Sequence, residues 1–168
     1  MKKHIDDVLK KTTHEIREIY NQKKYFLSED DFKCILFSIL EKNINDINLT
    51  KKLSVHSEVS FYGDSKKLKY RPDLSIFKNK HLEFNDKTFD WSISSKGVMA
   101  IIEIKFIKKH TKKIFDAIEK DLIKLSMLSE SNKNTKMIIF CFDFTSSAYN
   151  SKDIPSKENV IFEYIPRN

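Results

Sequence analysis

The sequence predicts an α/β domain: a mixed central β-sheet flanked by α-helices, with an extra N-terminal helix. Two segments, 28–42 and 111–129, space their apolar residues as one face of a helix. Two others, 53–62 and 68–77, alternate apolar and polar residues on either side of a turn, and three apolar runs at 98–107, 137–142 and 160–165 read as buried strands. Their order makes the crossover from 98–107 to 137–142 parallel and right-handed.

No repeat, linker or low-complexity tract divides the 168 residues. One domain is expected, with residues 1–27 as a helical arm and 28–168 as the core. In the arm, Ile5, Val8, Leu9, Ile16, Ile19 and Tyr20 make a partial apolar stripe among many charges. Such a helix lies against the main body or a partner, and a homodimer through it is one expectation. Ser28 then caps a helix whose apolar face is Phe32, Ile35, Leu36, Ile39 and Leu40, and Asp31 completes a variant capping box.

Leu53, Val55, Ser57, Val59 and Phe61 fall on one face of the next segment, which Gly63-Asp64-Ser65-Lys66 turns into a hairpin with 68–77. The second strand carries Arg71, Asp73 and Ser75 on one face. Residues 78–97 are a polar excursion with a short hairpin around Lys87-Thr88-Phe89-Asp90-Trp91. The strand 98–107 is interrupted by only two charges, and Ile114, Phe115, Ile118, Leu122, Leu125 and Leu128 line the helix that follows it.

The composition is basic, with 28 lysines and three arginines against 24 acids, net +7. That charge permits a polyanion partner, although a lysine-rich, glycine-poor composition has a bland origin in base composition as well. No apolar run approaches a membrane span, and the first residues lack the apolar stretch of a signal peptide, so a cytoplasmic protein with no membrane association is expected. Cys34 and Cys141 lack the neighbours of a zinc or redox motif and read as core filler.

Glu103 and Lys105 stand two apart on a strand that otherwise reads as core, so both face one side of the sheet. Buried charges need a partner, a metal or a cleft, and a Glu-Lys ion pair near a sheet edge is the plainer alternative. Asp73, in Arg71-Pro72-Asp73, adds an acid that either ends a strand in a turn or is held on the sheet; the extended pattern continuing through Leu74, Ile76 and Phe77 favours the sheet. Two carboxylates and a lysine on neighbouring strands are the parts that hold a hard divalent cation and a hydrolytic water beside a phosphodiester.

Pro72-Asp73 followed by Glu103-Ile104-Lys105 resembles the PD-(D/E)xK nuclease superfamily. The likeness runs by element order over about residues 28–142, and the helix bearing Glu29, the His56-Ser57-Glu58 segment and Asp121-Leu122-Ile123-Lys124-Leu125 resemble flanking patterns of small members. The resemblance implies a restriction endonuclease-like core and a metal-dependent nuclease acting on DNA, with RNA left open beside it. It implies Mg2+, with Mn2+ as substitute, held by Asp73, Glu103 and the Ile104 carbonyl, while Lys105 orients the attacking water or helps deprotonate it. An unperturbed lysine is a poor base at neutral pH, so orientation is the expected role.

In that superfamily an acid of the first helix often completes the site. Glu29 is the candidate, against the alternative of an acid favourably placed at a helix N-terminus, and Asp30 and Asp31 compete for the same place. Glu58 offers an additional acid, with an ion pair to Arg71 as its plainer explanation, and His56 reads as a cross-strand or DNA-contacting residue. Asp121 and Lys124, one turn apart, read as an ordinary intrahelical pair. Lys108, Lys109, Lys112 and Lys113 follow the motif strand directly and are expected to contact phosphates, the alternative being a solvated connection. Few arginines means little capacity for base readout. The competing functions are a catalytically inactive nucleic-acid-binding or complex-assembly subunit on the same fold, and a protein-interaction subunit in which the charged cluster is only a structural ion pair.

Overall fold

Helix α1 spans Lys2–Gln22 and α2 spans Glu29–Asp46. The computed structural model describes residues 2–22, 28–62, 68–85, 90–93, 97–145 and 157–167. The capping box forms as the sequence predicts: Asp31 N–H donates to Ser28 Oγ at 3.3 Å, and Ser28 N–H donates to Asp31 Oδ2 at 2.9 Å. Helix α1 is no arm. Ile5, Val8, Leu9, Ile16 and Tyr20 are buried together with Phe32, Leu36 and Leu40 of α2, so the stripe that offered a dimer contact is consumed inside its own chain. Tyr20 fixes the helix further, its hydroxyl donating to the Asp143 carbonyl at 2.6 Å.

Strands β1 (Leu53–Ser57), β4 (Leu74–Lys78), β7 (Val98–Ile107), β8 (Lys136–Asp143) and β9 (Val160–Pro166) form one sheet in the order β1-β4-β7-β8-β9. The pairs β1–β4 and β4–β7 are antiparallel; β7–β8 and β8–β9 are parallel. The parallel crossover is made by α3 (Lys112–Ser131), capped by Thr111. Because side chains alternate, Ala100, Ile102 and Ile104 of β7 face α1 and α2, with Ile138, Phe140 and Phe142 of β8. Ile101 and Ile107, with Met137, Ile139 and Cys141, face α3 through Ile118, Leu122 and Leu125. The charged pair of β7 thus lies on the α3 side of a three-layer α/β fold.

The long hairpin is broken. Leu53 to Ser57 pairs with Leu74 to Lys78, while β2 (Phe61–Tyr62) pairs with β3 (Leu68–Tyr70) as a separate ribbon. Glu58 takes φ 52, a left-handed backbone that ends β1, its N–H donating to the Asp73 carbonyl at 3.0 Å, and the residue before Asp73, Pro72, has no N–H for a ladder. Arg71, Asp73 and Ser75 therefore do not share one strand face: Arg71 and Asp73 sit in the break and Ser75 is fully buried in β4. The Gly63–Lys66 turn lies outside the described residues. In the polar excursion, β5 (Leu82–Asn85) and β6 (Asp90–Ile93) pair antiparallel, with the expected Lys87–Phe89 turn outside the described residues.

Cys141 is buried as expected, but Cys34 is exposed because position 34 falls off the buried stripe of α2. Among the described residues no helix is long and apolar enough to cross a membrane.

Candidate active site

The break in the hairpin has a consequence for β7. Strand β4 begins at Leu74, which pairs with Ile102, so β7 runs on toward Ile107 with no strand paired on that side among the described residues. Its amide groups there must find other acceptors. Ile104 N–H donates to Asp73 Oδ2 at 2.8 Å, and Phe106 N–H donates to the Glu29 carboxylate. In a strand the N–H and C=O of one residue point to the same side. The Ile107 carbonyl accepts from Phe144 N–H beyond β8 at 2.9 Å, so the alternate carbonyl of Ile104 faces the overhang, between the two acids.

On the α3 face, Glu103 is 5% exposed. Its Oε1 accepts from the Tyr70 hydroxyl, and its Oε2 lies 3.4 Å from Lys105 Nζ. Lys105 Nζ also lies 2.9 Å from Asp121 Oδ2, across from β7 to α3. The pair lies where β7 runs past the start of β4, so the plainer alternative of a Glu-Lys ion pair near a sheet edge is present in the same geometry. Burial and then the charge of Asp73 push the Glu103 carboxyl up to about 7, against the pull of Tyr70 and Lys105. Burial likewise raises Glu29, opposed by the Lys105 charge and reinforced by Asp73. Burial alone would lower Lys105, yet the carboxylates of Glu103, Asp121 and Glu29 outweigh it and hold the ammonium above its ordinary value. Burial sets the direction for the two acids, and the excess of carboxyl groups over one ammonium sets it for Lys105. Lys105 is therefore a charged donor rather than a base.

Comparison with protein-family models, with curated proteins and with solved structures found no match to this chain. The site must be read from its own chemistry.

Of the residues singled out in the sequence, Asp73, Glu103, Lys105 and Glu29 come together, with the Ile104 backbone between them. The competition in the first turn of α2 resolves: Asp31 caps, and Asp30, strongly exposed, pairs with Lys33 at 2.8 Å, which leaves Glu29 for the site. Glu58 instead bonds Arg71 at 2.6 Å and Lys33 at 2.7 Å. Those pairs hold its carboxyl below the ordinary range, Lys33 foremost, and agree with the plainer explanation. His56 bonds Ser54 Oγ at 2.8 Å and packs its ring 5.4 Å from that of Phe77; burial lowers its pKa. Lys108, Lys109, Lys112 and Lys113 are exposed where β7 passes into α3, and Lys108 Nζ lies 5.3 Å from the centre of the Phe106 ring.

Two site residues escaped sequence reasoning. Asp121 does pair with Lys124, at 3.1 Å, but its other oxygen holds Lys105. Tyr70 is buried in the α3-side core, its hydroxyl kept protonated by burial and by the Glu103 charge. The signal for Asp121 was its place in the apolar stripe, directly before Leu122, where an ordinary surface acid does not belong.

Among the described residues no three or more Asp, Glu, His or Cys side chains stand at metal-ligand spacing. A centre made of side chains alone is therefore not built here. The donor set that fits is two carboxylates, Asp73 and Glu103, with the Ile104 carbonyl: hard oxygens, the complement that Mg2+ takes while keeping several waters. Burial raises Glu103 first and the Asp73 charge adds to it; that second contribution is of the kind a cation relieves.

Proposed function

We propose that this protein is a metal-dependent nuclease of the PD-(D/E)xK type, with a restriction endonuclease-like core, hydrolysing phosphodiester bonds in DNA. The observation that carries the reading is the meeting of Asp73, Glu103 and Lys105 at the overhang of β7, with Glu29 reaching the same edge from α2. Asp73, Glu103 and the Ile104 carbonyl are the groups to hold Mg2+ or Mn2+. When bound there, a divalent cation supplies Lewis acidity and lowers the pKa of a coordinated water.

The chain's own residues do the rest. Lys105, charged and fixed from two sides, donates hydrogen bonds that orient a water and stabilise charge developing on a phosphate oxygen. Tyr70 fixes the rotamer of Glu103. The exposed lysines at 108, 109, 112 and 113 lie one short connection beyond the site, where flanking phosphates of a polymer would run. A hollow of about 660 Å³ is lined by Ser129, Thr135, Asn159 and Ile161, outside this cluster.

The test is incubation with plasmid and single-stranded DNA in Mg2+ or Mn2+. Wild type is expected to cleave, and Glu103→Ala and Lys105→Ala to lose at least about a hundredfold. Equal residual cleavage by all three would sink the proposal. One observation favours a second reading, an inactive nucleic-acid-binding or assembly subunit: both Glu103 oxygens are engaged by the chain itself. Salt-dependent DNA binding with neither turnover nor metal uptake would establish that alternative.

A further inference from the structure

The contacts around Lys105 close on themselves. The Tyr70 hydroxyl donates to Glu103 Oε1, and Glu103 Oε2 faces Lys105 Nζ at 3.4 Å. Lys105 Nζ meets Asp121 Oδ2 at 2.9 Å, Asp121 Oδ1 meets Lys124 Nζ at 3.1 Å, and Lys124 Nζ lies 5.6 Å from the centre of the Tyr70 ring. The three central side chains are almost withdrawn from solvent, at 7% exposure for Glu103 and 13% each for Lys105 and Asp121, while Lys124 is 52% exposed. An intrahelical surface pair has no reason to sink its acid to that depth.

We propose that Asp121 is the positioning residue for Lys105, and that Lys105 is a resident counter-ion which a divalent cation displaces from Glu103; the metal half of this inference rests on the nuclease reading above. The asymmetry of the two contacts carries it. Lys105 is closer to Asp121 than to Glu103, so the weaker contact is the one a cation must break, and the ammonium already has a carboxylate to withdraw to. Without Asp121, Lys105 has only Glu103 on that face and competes for the oxygen a metal needs. Lys124 engages the other oxygen of Asp121, and Tyr70 the other oxygen of Glu103.

The experiment measures Mn2+ binding by calorimetry on the full chain in wild type, Asp121→Asn, Lys105→Met and the double variant, with thermal melts to establish that each is folded. In parallel, lysine-directed 15N NMR without metal follows the Lys105 Nζ signal, assigned by its loss in Lys105→Met. Asp121→Asn is expected to weaken Mn2+ binding about tenfold, Lys105→Met to strengthen it, and the Asp121→Asn effect to vanish once Lys105 is gone. The Lys105 signal should be sharp in wild type and lost to exchange in Asp121→Asn. The same loss of Mn2+ affinity in the Lys105→Met background, or an unmoved Lys105 signal in Asp121→Asn, would overturn the proposal. If the wild type takes up no Mn2+, the nuclease reading falls and the counter-ion role with it, while the NMR arm still decides whether Asp121 holds Lys105.

Discussion

Glu103 and Asp143 are buried carboxylates on adjacent strands, both facing the α3 side, yet their surroundings drive them in opposite directions. Asp143, at the end of β8, is 1% exposed. It accepts from Tyr164 and from Thr145 N–H at 2.8 Å and meets His110 Nε2 at 2.7 Å. Burial would raise its carboxyl, but Tyr164, His110 and Thr145 outweigh burial and hold it below the ordinary aspartate range. Glu103 has a hydroxyl and one ammonium, but burial and then the charge of Asp73 outweigh them, and it goes up to about 7. A buried acid saturated with donors is at rest in the fold, whereas one pressed by both burial and like charges is kept at a cost.

The largest effect that separates the two is on stability. Asp143→Ala strips acceptors from three donors at the end of the sheet and should cost about 3 kcal/mol in urea unfolding. Glu103→Gln, which keeps the Tyr70 contact while removing the crowded charge, should be neutral or stabilising at pH 8. A large loss in both would erase the distinction.

The second effect is on pH. Glu103 titrates at about 7 in the folded chain against 4.5 for an ordinary glutamate, so between those limits the folded state holds a proton that the unfolded chain has released. Stability should fall as pH rises through that window, by about 3 kcal/mol in all, and Glu103→Gln should flatten the fall. The depressed Asp143 works in the other sense: its contribution is full above the ordinary aspartate range and is lost as pH falls through its folded value. Denaturation midpoints across the pH range, compared between wild type and each variant, check both signs.

The smallest effect concerns the lysines beside the two acids. Replacing Lys108, Lys109, Lys112 and Lys113 by Ala should lower the slope of log affinity for DNA against log salt by about 0.9 for each phosphate that is no longer neutralised. The same change at Lys2, Lys3, Lys10 and Lys11 should lower it less; equal slopes would make the net charge of +7 a matter of composition alone.

Local rules carried much of the fold into the sequence. The Ser28–Asp31 box, the alternation of β7 and the stripe of α3 each follow from periodicity or capping, and the parallel β7–β8 pair follows from the single helix that connects the two strands. The site was legible only where it lies along one strand. Asp121 meets Lys105 because of how α3 is rotated over β7, and Tyr70 reaches Glu103 because Glu58 and Pro72 split the hairpin; neither a rotation nor a left-handed residue leaves a trace in hydrophobic period. For the same reason the sequence leaves α1 against either the main body or a partner: a sparse stripe does not say which surface will cover it.

The overhang of β7 also bears on how such a chain can change over time. Asp73 and Glu29 do two jobs, since each accepts an amide hydrogen of a central strand as well as facing the cluster. An apolar replacement at either position orphans a backbone donor, at a cost of about 1–3 kcal/mol. Selection for folding alone would therefore retain these acids in a descendant that had abandoned cleavage, and it would retain a cation at Lys105 too, whose loss leaves the buried Glu103 and Asp121 carboxylates uncompensated. Glu103, which no backbone donor requires, is then the residue whose survival tracks activity.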